Sequence, residues 1–134
     1  MDARKIIIAD DNVYIREALT YLLEDEGYKL WMVKDGAEAL KEIKNVRPDI
    51  VFLDVMMPEL NGFDVCRIIK SDPELKKIYV IMLTARSLAS EQERGKEVGA
   101  DEYIVKPFSP VEILAKIKLL VEHLPHSSPL KSAV

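Results

Sequence analysis

Five short apolar runs, at 5–9, 29–33, 50–53, 79–83 and 103–105, punctuate the chain, and the segments between them carry apolar residues at helical spacing. Runs of this length suit strands buried on both faces, and strands that alternate with helices make a parallel sheet covered on both sides. The pattern predicts an α/β fold with one doubly wound five-stranded sheet and five helices, flavodoxin-like in its connections. The usual strand order for such a sheet is 2-1-3-4-5.

Each predicted helix has its own signature. The first, 12–26, turns Ile15, Leu19, Leu22 and Leu23 inward and stops at Gly27. The second starts from Asp35 as N-cap with Glu38 as capping-box partner, and buries Leu40, Ile43 and Val46. The third carries Phe63, Val65, Cys66, Ile68 and Ile69 and ends near Ser71; Cys66 there is a small core residue. The fourth, 87–98, has little apolar surface beyond Leu88, Ala89 and Val98, so a weakly anchored element is expected. The fifth opens with Ser109-Pro110-Val111-Glu112 and turns Ile113, Leu114, Ile117, Leu120, Val121 and Leu124 inward. Residues 1–124 thus make one domain, and 125–134, with two prolines and three serines, make a flexible tail or linker stub. His123 and His126 at that end are solvated bystanders rather than a metal pair.

Composition narrows the function classes. With a net charge of −4 and a pI near 5.3, the chain lacks the basic footprint of a nucleic-acid binder, so no direct nucleic-acid contact is expected. The first residues show no signal-peptide pattern and no apolar stretch approaches membrane-spanning length. A single cysteine excludes an internal disulfide. A cytoplasmic protein without membrane contact is the expectation.

The chemistry sits where the strands end. Asp10-Asp11 follows the first run, Asp54 the third, Thr84 the fourth and Lys106 the fifth. In the order 2-1-3-4-5, strands 1, 3, 4 and 5 are neighbours, so three carboxylates, a hydroxyl and an ammonium converge on one crevice at the switch point. Like-charged carboxylates at close range need neutralising, and Lys106 supplies one charge against three. A hard divalent ion completes the balance, and Mg²⁺ suits an oxygen-rich site that leaves room for waters and a phosphoryl group. With that charge screened, Asp54 can attack phosphorus and form an aspartyl phosphate, and the Thr84 hydroxyl can bond a phosphoryl oxygen.

Four stretches carry a resemblance: Ile8-Ala9-Asp10-Asp11-Asn12, Asp54-Val55-Met56-Met57-Pro58-Glu59-Leu60-Asn61-Gly62, Leu83-Thr84-Ala85-Arg86, and Gly99-Ala100-Asp101-Glu102-Tyr103-Ile104-Val105-Lys106-Pro107-Phe108. In this order and spacing they resemble the receiver domain of two-component response regulators, over about 5–124. The resemblance implies that Asp54 accepts a phosphoryl group from a phosphohistidine on a sensor histidine kinase or phosphotransfer protein. It implies Mg²⁺ bound by Asp11, Asp54 and the backbone carbonyl of Met56, with Asp10 acting through a water, and Lys106 on the phosphoryl group. Thr84 and Tyr103 match the family's switch pair, which reshapes the face built by helix 4, strand 5 and helix 5 to control an output partner or fused effector domain.

Other positions refine this picture. Neither Met56 nor Ala85 can act as acid or base, so slow autodephosphorylation is expected. Tyr79 stands where the family often has Pro. Lys116 stands where dimerising members carry Arg, which it cannot match in bidentate contacts, so a phosphorylation-dependent homodimer stays open. Three other readings fit less well, one of them a degenerate receiver used only for docking, against which every expected site residue is present. A phosphohydrolase of the haloacid dehalogenase type would want an acid two residues after the nucleophile, where Met56 stands. A flavin-binding protein would want a glycine-rich phosphate loop in place of Asp10-Asp11-Asn12. The expectation is a signalling switch rather than a turnover enzyme.

Overall fold

The computed structural model describes residues 4–57, 59–84, 93–94, 96–106 and 108–123. The strands are β1 (Lys5–Ala9), β2 (Lys29–Val33), β3 (Ile50–Asp54), β4 (Tyr79–Thr84) and β5 (Glu102–Val105). They form one parallel sheet in the order β2-β1-β3-β4-β5, as the alternation of strands and helices predicts. The helices are α1 (Val13–Glu24), α2 (Gly36–Val46), α3 (Gly62–Ser71) and a C-terminal helix (Pro110–His123). The predicted fourth helix lies largely outside the described residues, although Glu93, Arg94, Lys96 and Glu97 within it are helical. The tail from residue 125 and Leu124 also lie outside them.

Alternation along the strands divides the core in two. Ile7, Ala9, Val51, Leu53, Val80 and Met82 face Ala39 and Ile43 of α2 and Val65, Cys66 and Ile69 of α3. Ile6, Ile8, Ile50, Phe52, Ile81 and Leu83 face Leu19 and Leu23 of α1 and Ile113 and Ile117 of the C-terminal helix. The central strand β3 is buried at every position, so each large-to-alanine change there would cost about 2–5 kcal/mol.

The cap at Asp35 is the expected one, whereas Asn12, expected as the first residue of its helix, is its N-cap. Asn12 accepts from the amides of Tyr14 and Ile15 at the start of α1, and Asp35 accepts from Glu38 N–H at the start of α2. Glu38 closes its side of the motif on the amide of Lys34, one residue before the cap. Gly27, with φ of 86°, ends the turn after α1.

Some expectations shift. β3 and β4 each run one residue further than the apolar run, because backbone pairing continues through Asp54 and Thr84 whatever their side chains. α2 buries Gly36, Ala39 and Ile43 rather than Leu40, which is half-buried; Ala39 and Ile43 pack into the core on the sheet, and Gly36 meets the backbone of Leu60. Ile68 lies on the outer side of α3, 36% exposed, since Val65, Cys66 and Ile69 already fill the inner face.

Candidate functional site at the carboxyl edge of the sheet

The register brings the acids together. Ala9 is paired with Leu53, so the next residues, Asp10 and Asp54, emerge side by side from β1 and β3. Asp10 is fully buried and Asp54 is 5% exposed, whereas Asp11 is exposed. Carboxylate oxygens of Asp10, Asp11 and Asp54 lie within 4.8 Å of one another.

Lys106 reaches the same point from the end of β5. Its Nζ lies 2.9 Å from Asp10 Oδ2 and 3.6 Å from Asp54 Oδ2. Its backbone N–H donates to the carbonyl of Thr84 at 2.6 Å, which fastens the end of β5 to the end of β4. Thr84 is itself buried, the last residue of its strand. Tyr103, half-buried on β5 and in register with Met82, packs against the core on the α2 and α3 side.

Backbone amides orient both buried acids. Asn12 N–H donates to Asp10 Oδ1 at 2.9 Å, and Met56 N–H donates to Asp54 Oδ1 at 3.1 Å. Burial and the neighbouring Asp10 charge push the Asp54 carboxyl up to about 7, against the opposing pull of Lys106 and the Met56 amide. An acid held this way has a strong demand for positive charge. The donor set is all oxygen, carries more negative charge than Lys106 balances and has one exposed member, which fits a hard divalent cation.

The connection between β3 and α3 is tied at both ends. Val55 N–H donates to the Leu83 carbonyl at 2.9 Å, and Gly62 N–H to the Val55 carbonyl at 3.2 Å. Asn61 and Asp64 cap α3 reciprocally, a pairing for which the spacing of these two residues is the sequence signal, and one absent from the helix predicted above. Met56 points outward, 61% exposed, while Val55 and Met57 are buried.

Two further groups lie away from the acids. Glu102 accepts from Tyr79 Oη at 2.9 Å and pairs with Lys116, so Lys116 is engaged within its own chain. Arg94 stacks 5.2 Å over the Phe63 ring, and Lys70 bridges to Asp101 at 2.8 Å; together they tie α3 to the segment that leads into β5. Pro107 and Ala85, beside the site in sequence, lie outside the described residues. Among the described residues, no helix is long and apolar enough to cross a membrane.

Comparison with known proteins agrees with this fold. The family model for the response regulator receiver domain matches residues 6–118. The DNA-binding response regulator MtrA of Mycobacterium tuberculosis strain H37Rv is 39% identical over 115 residues, which are 86% of this chain and 49% of that protein. The chain therefore spans about half the length of the curated relatives it matches. Among solved structures, the receiver domain of a signal transduction histidine kinase from Syntrophus aciditrophicus superposes with a TM-score of 0.85 at 35% identity, covering 95% of this chain and 96% of that one. The chemotaxis protein CheY4 of Vibrio cholerae gives 0.82 at 31% identity, covering 88% and 98%. Sequence motifs, strand order and site geometry converge: the chain belongs to the family of response regulator receiver domains of two-component signalling systems.

Proposed function

We propose that this domain is a phosphorylation-operated switch whose acceptor is Asp54. The observation that carries the reading is a buried carboxylate, held by the Met56 amide, with Asp10 and Lys106 at its side. A phosphohistidine on a histidine kinase or phosphotransfer protein is the donor. An Asp54 oxygen attacks phosphorus, the P–N bond breaks as the P–O bond forms, and the donor imidazole leaves and takes a proton from solvent. Lys106 holds positive charge where the phosphoryl oxygens arrive, and the Thr84 hydroxyl bonds one of them once the group is seated.

Asp10, Asp11, Asp54 and the Met56 carbonyl would hold Mg²⁺, with Asp10 acting through a water. The ion, when bound, supplies the charge neutralisation that lets a carboxylate approach a phosphate. Met56 carries no acid or base, so the acyl phosphate is long-lived. Phosphorylation biases two conformations that differ at Thr84 and Tyr103, and the face beside β5 and the C-terminal helix is read by an output partner or a fused effector domain. Residues 1–124 form the switch, and 125–134 are its tail or linker. The DNA-binding relatives favour a transcriptional output. Lys116, already paired with Glu102, offers a poor anchor for a homodimer.

The test is intact mass after incubation with Mg²⁺ and acetyl phosphate, beside Asp54→Asn. One phosphoryl adduct that requires Mg²⁺ and is missing from the variant is expected. An adduct that persists in Asp54→Asn would place the acceptor elsewhere.

A further inference from the structure

Between β3 and α3, the described residues 55–57 and 59–61 include the amide that orients Asp54 and one residue in an unfavourable conformation. Glu59 has a φ of 64°, in the left-handed region that side-chain-bearing residues seldom adopt. Such a conformation persists only when its surroundings impose it. From the sheet side, Val55 and Met57 are packed into the core with Leu60 against it. At the α3 end, Gly62 lies on the backbone of Asp54 itself: a Cβ there would sit 2.5 Å from the Asp54 carbonyl oxygen.

A third contact comes from α2, at Leu60. At Gly36, the first residue of that helix, a Cβ would lie 1.8 Å from the Leu60 carbonyl oxygen and 2.7 Å from its carbon. These are backbone atoms, so no rotamer change relieves the clash. The adjoining residue Asp35 caps the helix through Glu38 N–H, and Ala39 is buried one turn on, so α2 cannot easily retreat. Any side chain at Gly36 must therefore displace the loop.

We propose that Gly36 is a positioning residue for the acceptor site: its bare backbone lets α2 press on Leu60 and so fixes the loop that aims the Met56 amide at Asp54. This rests on the reading of Asp54 as acceptor and metal ligand. Gly36 touches neither metal nor phosphoryl group and acts only through the loop. Displacement of the loop loosens the Met56 backbone and the Asp54 carboxylate together, which weakens cation binding before it affects the rest of the fold.

The experiment is calorimetric titration of the full chain with Mg²⁺ alone, in the parent, Gly36→Ala, Leu60→Ala and Gly27→Ala. Gly27 is the control: its φ is positive and nothing lies within 4 Å of a Cβ there, so its substitution strains the backbone away from the loop. Expected is a Kd for Mg²⁺ weakened about tenfold or more in Gly36→Ala and severalfold in Leu60→Ala, against parent-like affinity in Gly27→Ala. Parent-like affinity in folded Gly36→Ala would overturn the proposal. If Gly36→Ala does not fold, Leu60→Ala decides, because it removes the core contact that holds the same stretch of backbone from the other side. Parent-like affinity there would show that the seat of Leu60 does not set the Met56 amide, and overturns the proposal. An equal loss in Gly27→Ala would also overturn it, because general destabilisation would then explain the effect. A parent chain that binds no Mg²⁺ would instead remove the metal reading beneath it.

Discussion

The ammonium of Lys106 lies 2.9 Å from Asp10 and 3.6 Å from Asp54, so its tighter partner is the fully buried acid and not the proposed acceptor. This order matters. Asp10 keeps Lys106 at the site before any phosphoryl group arrives, and Asp54 keeps an oxygen for chemistry.

Replacing Lys106 by Met should therefore do two things. It leaves Asp10 buried beside Asp54 without its cation, which should cost about 1–3 kcal/mol of stability in metal-free buffer, with much of it regained on adding Mg²⁺. It should also slow phosphorylation by acetyl phosphate by about tenfold or more. Urea unfolding with and without Mg²⁺, and the rate of adduct formation, measure the two separately.

Mg²⁺ affinity should rise with pH across neutrality. The cation binds the carboxylate form, and burial with the Asp10 charge keeps Asp54 protonated until about 7. Below that point binding must displace a proton, so the apparent affinity should fall by up to about tenfold per pH unit and level off above it. Calorimetry in buffers of different ionisation heat should detect the released proton. An affinity that is flat from about pH 6 to pH 8 would contradict the shift.

The same shift has a consequence for the metal-free fold. Asp54 ionises at about 7 in the folded chain and near the ordinary carboxylate value when unfolded. Its contribution to stability is thus fully present at acid pH and is lost as pH rises through neutrality. Asp54→Asn removes that loss, and should stabilise the metal-free protein by about 1–3 kcal/mol near pH 8, with the gain shrinking toward pH 5. Denaturation curves at the two pH values, without Mg²⁺, test the sign as well as the size.

Cys66 should be inert in the folded protein. It is fully buried and burial pushes its thiol up to about 12, so the reactive thiolate is scarce at neutral pH. Thiol labelling should follow the unfolding rate, and fast labelling under native conditions would contradict its place between α3 and the sheet.

Much of this site is legible in the amino-acid sequence, because it depends on strand ends. Once the apolar runs define five parallel strands, Asp10, Asp54, Thr84 and Lys106 must gather at one edge, and they do. The helical caps at Asp35 and Ser109 are legible for a similar reason, since capping is local chemistry. Long-range backbone contacts are not. Gly36 and Leu60 are far apart in the chain, and nothing in either residue type says that a helix will rest on a distant loop carbonyl. The same holds for Tyr79, which looks neutral in sequence and joins Glu102 and Lys116 across two strands and a helix. Which side of a helix is buried follows from the pattern where large residues lead, and less well for α2, where a glycine and an alanine lie on the buried side.

The most direct test of the central claim is the position of the phosphoryl bond. After phosphorylation by acetyl phosphate with Mg²⁺, borohydride reduction converts an aspartyl phosphate to homoserine, which peptide mass spectrometry locates. Homoserine at position 54, and unmodified Asp10 and Asp11, is the predicted result. Reduction at either of those neighbours, or a phosphoryl group that resists borohydride, would contradict the account of Asp54 as acceptor.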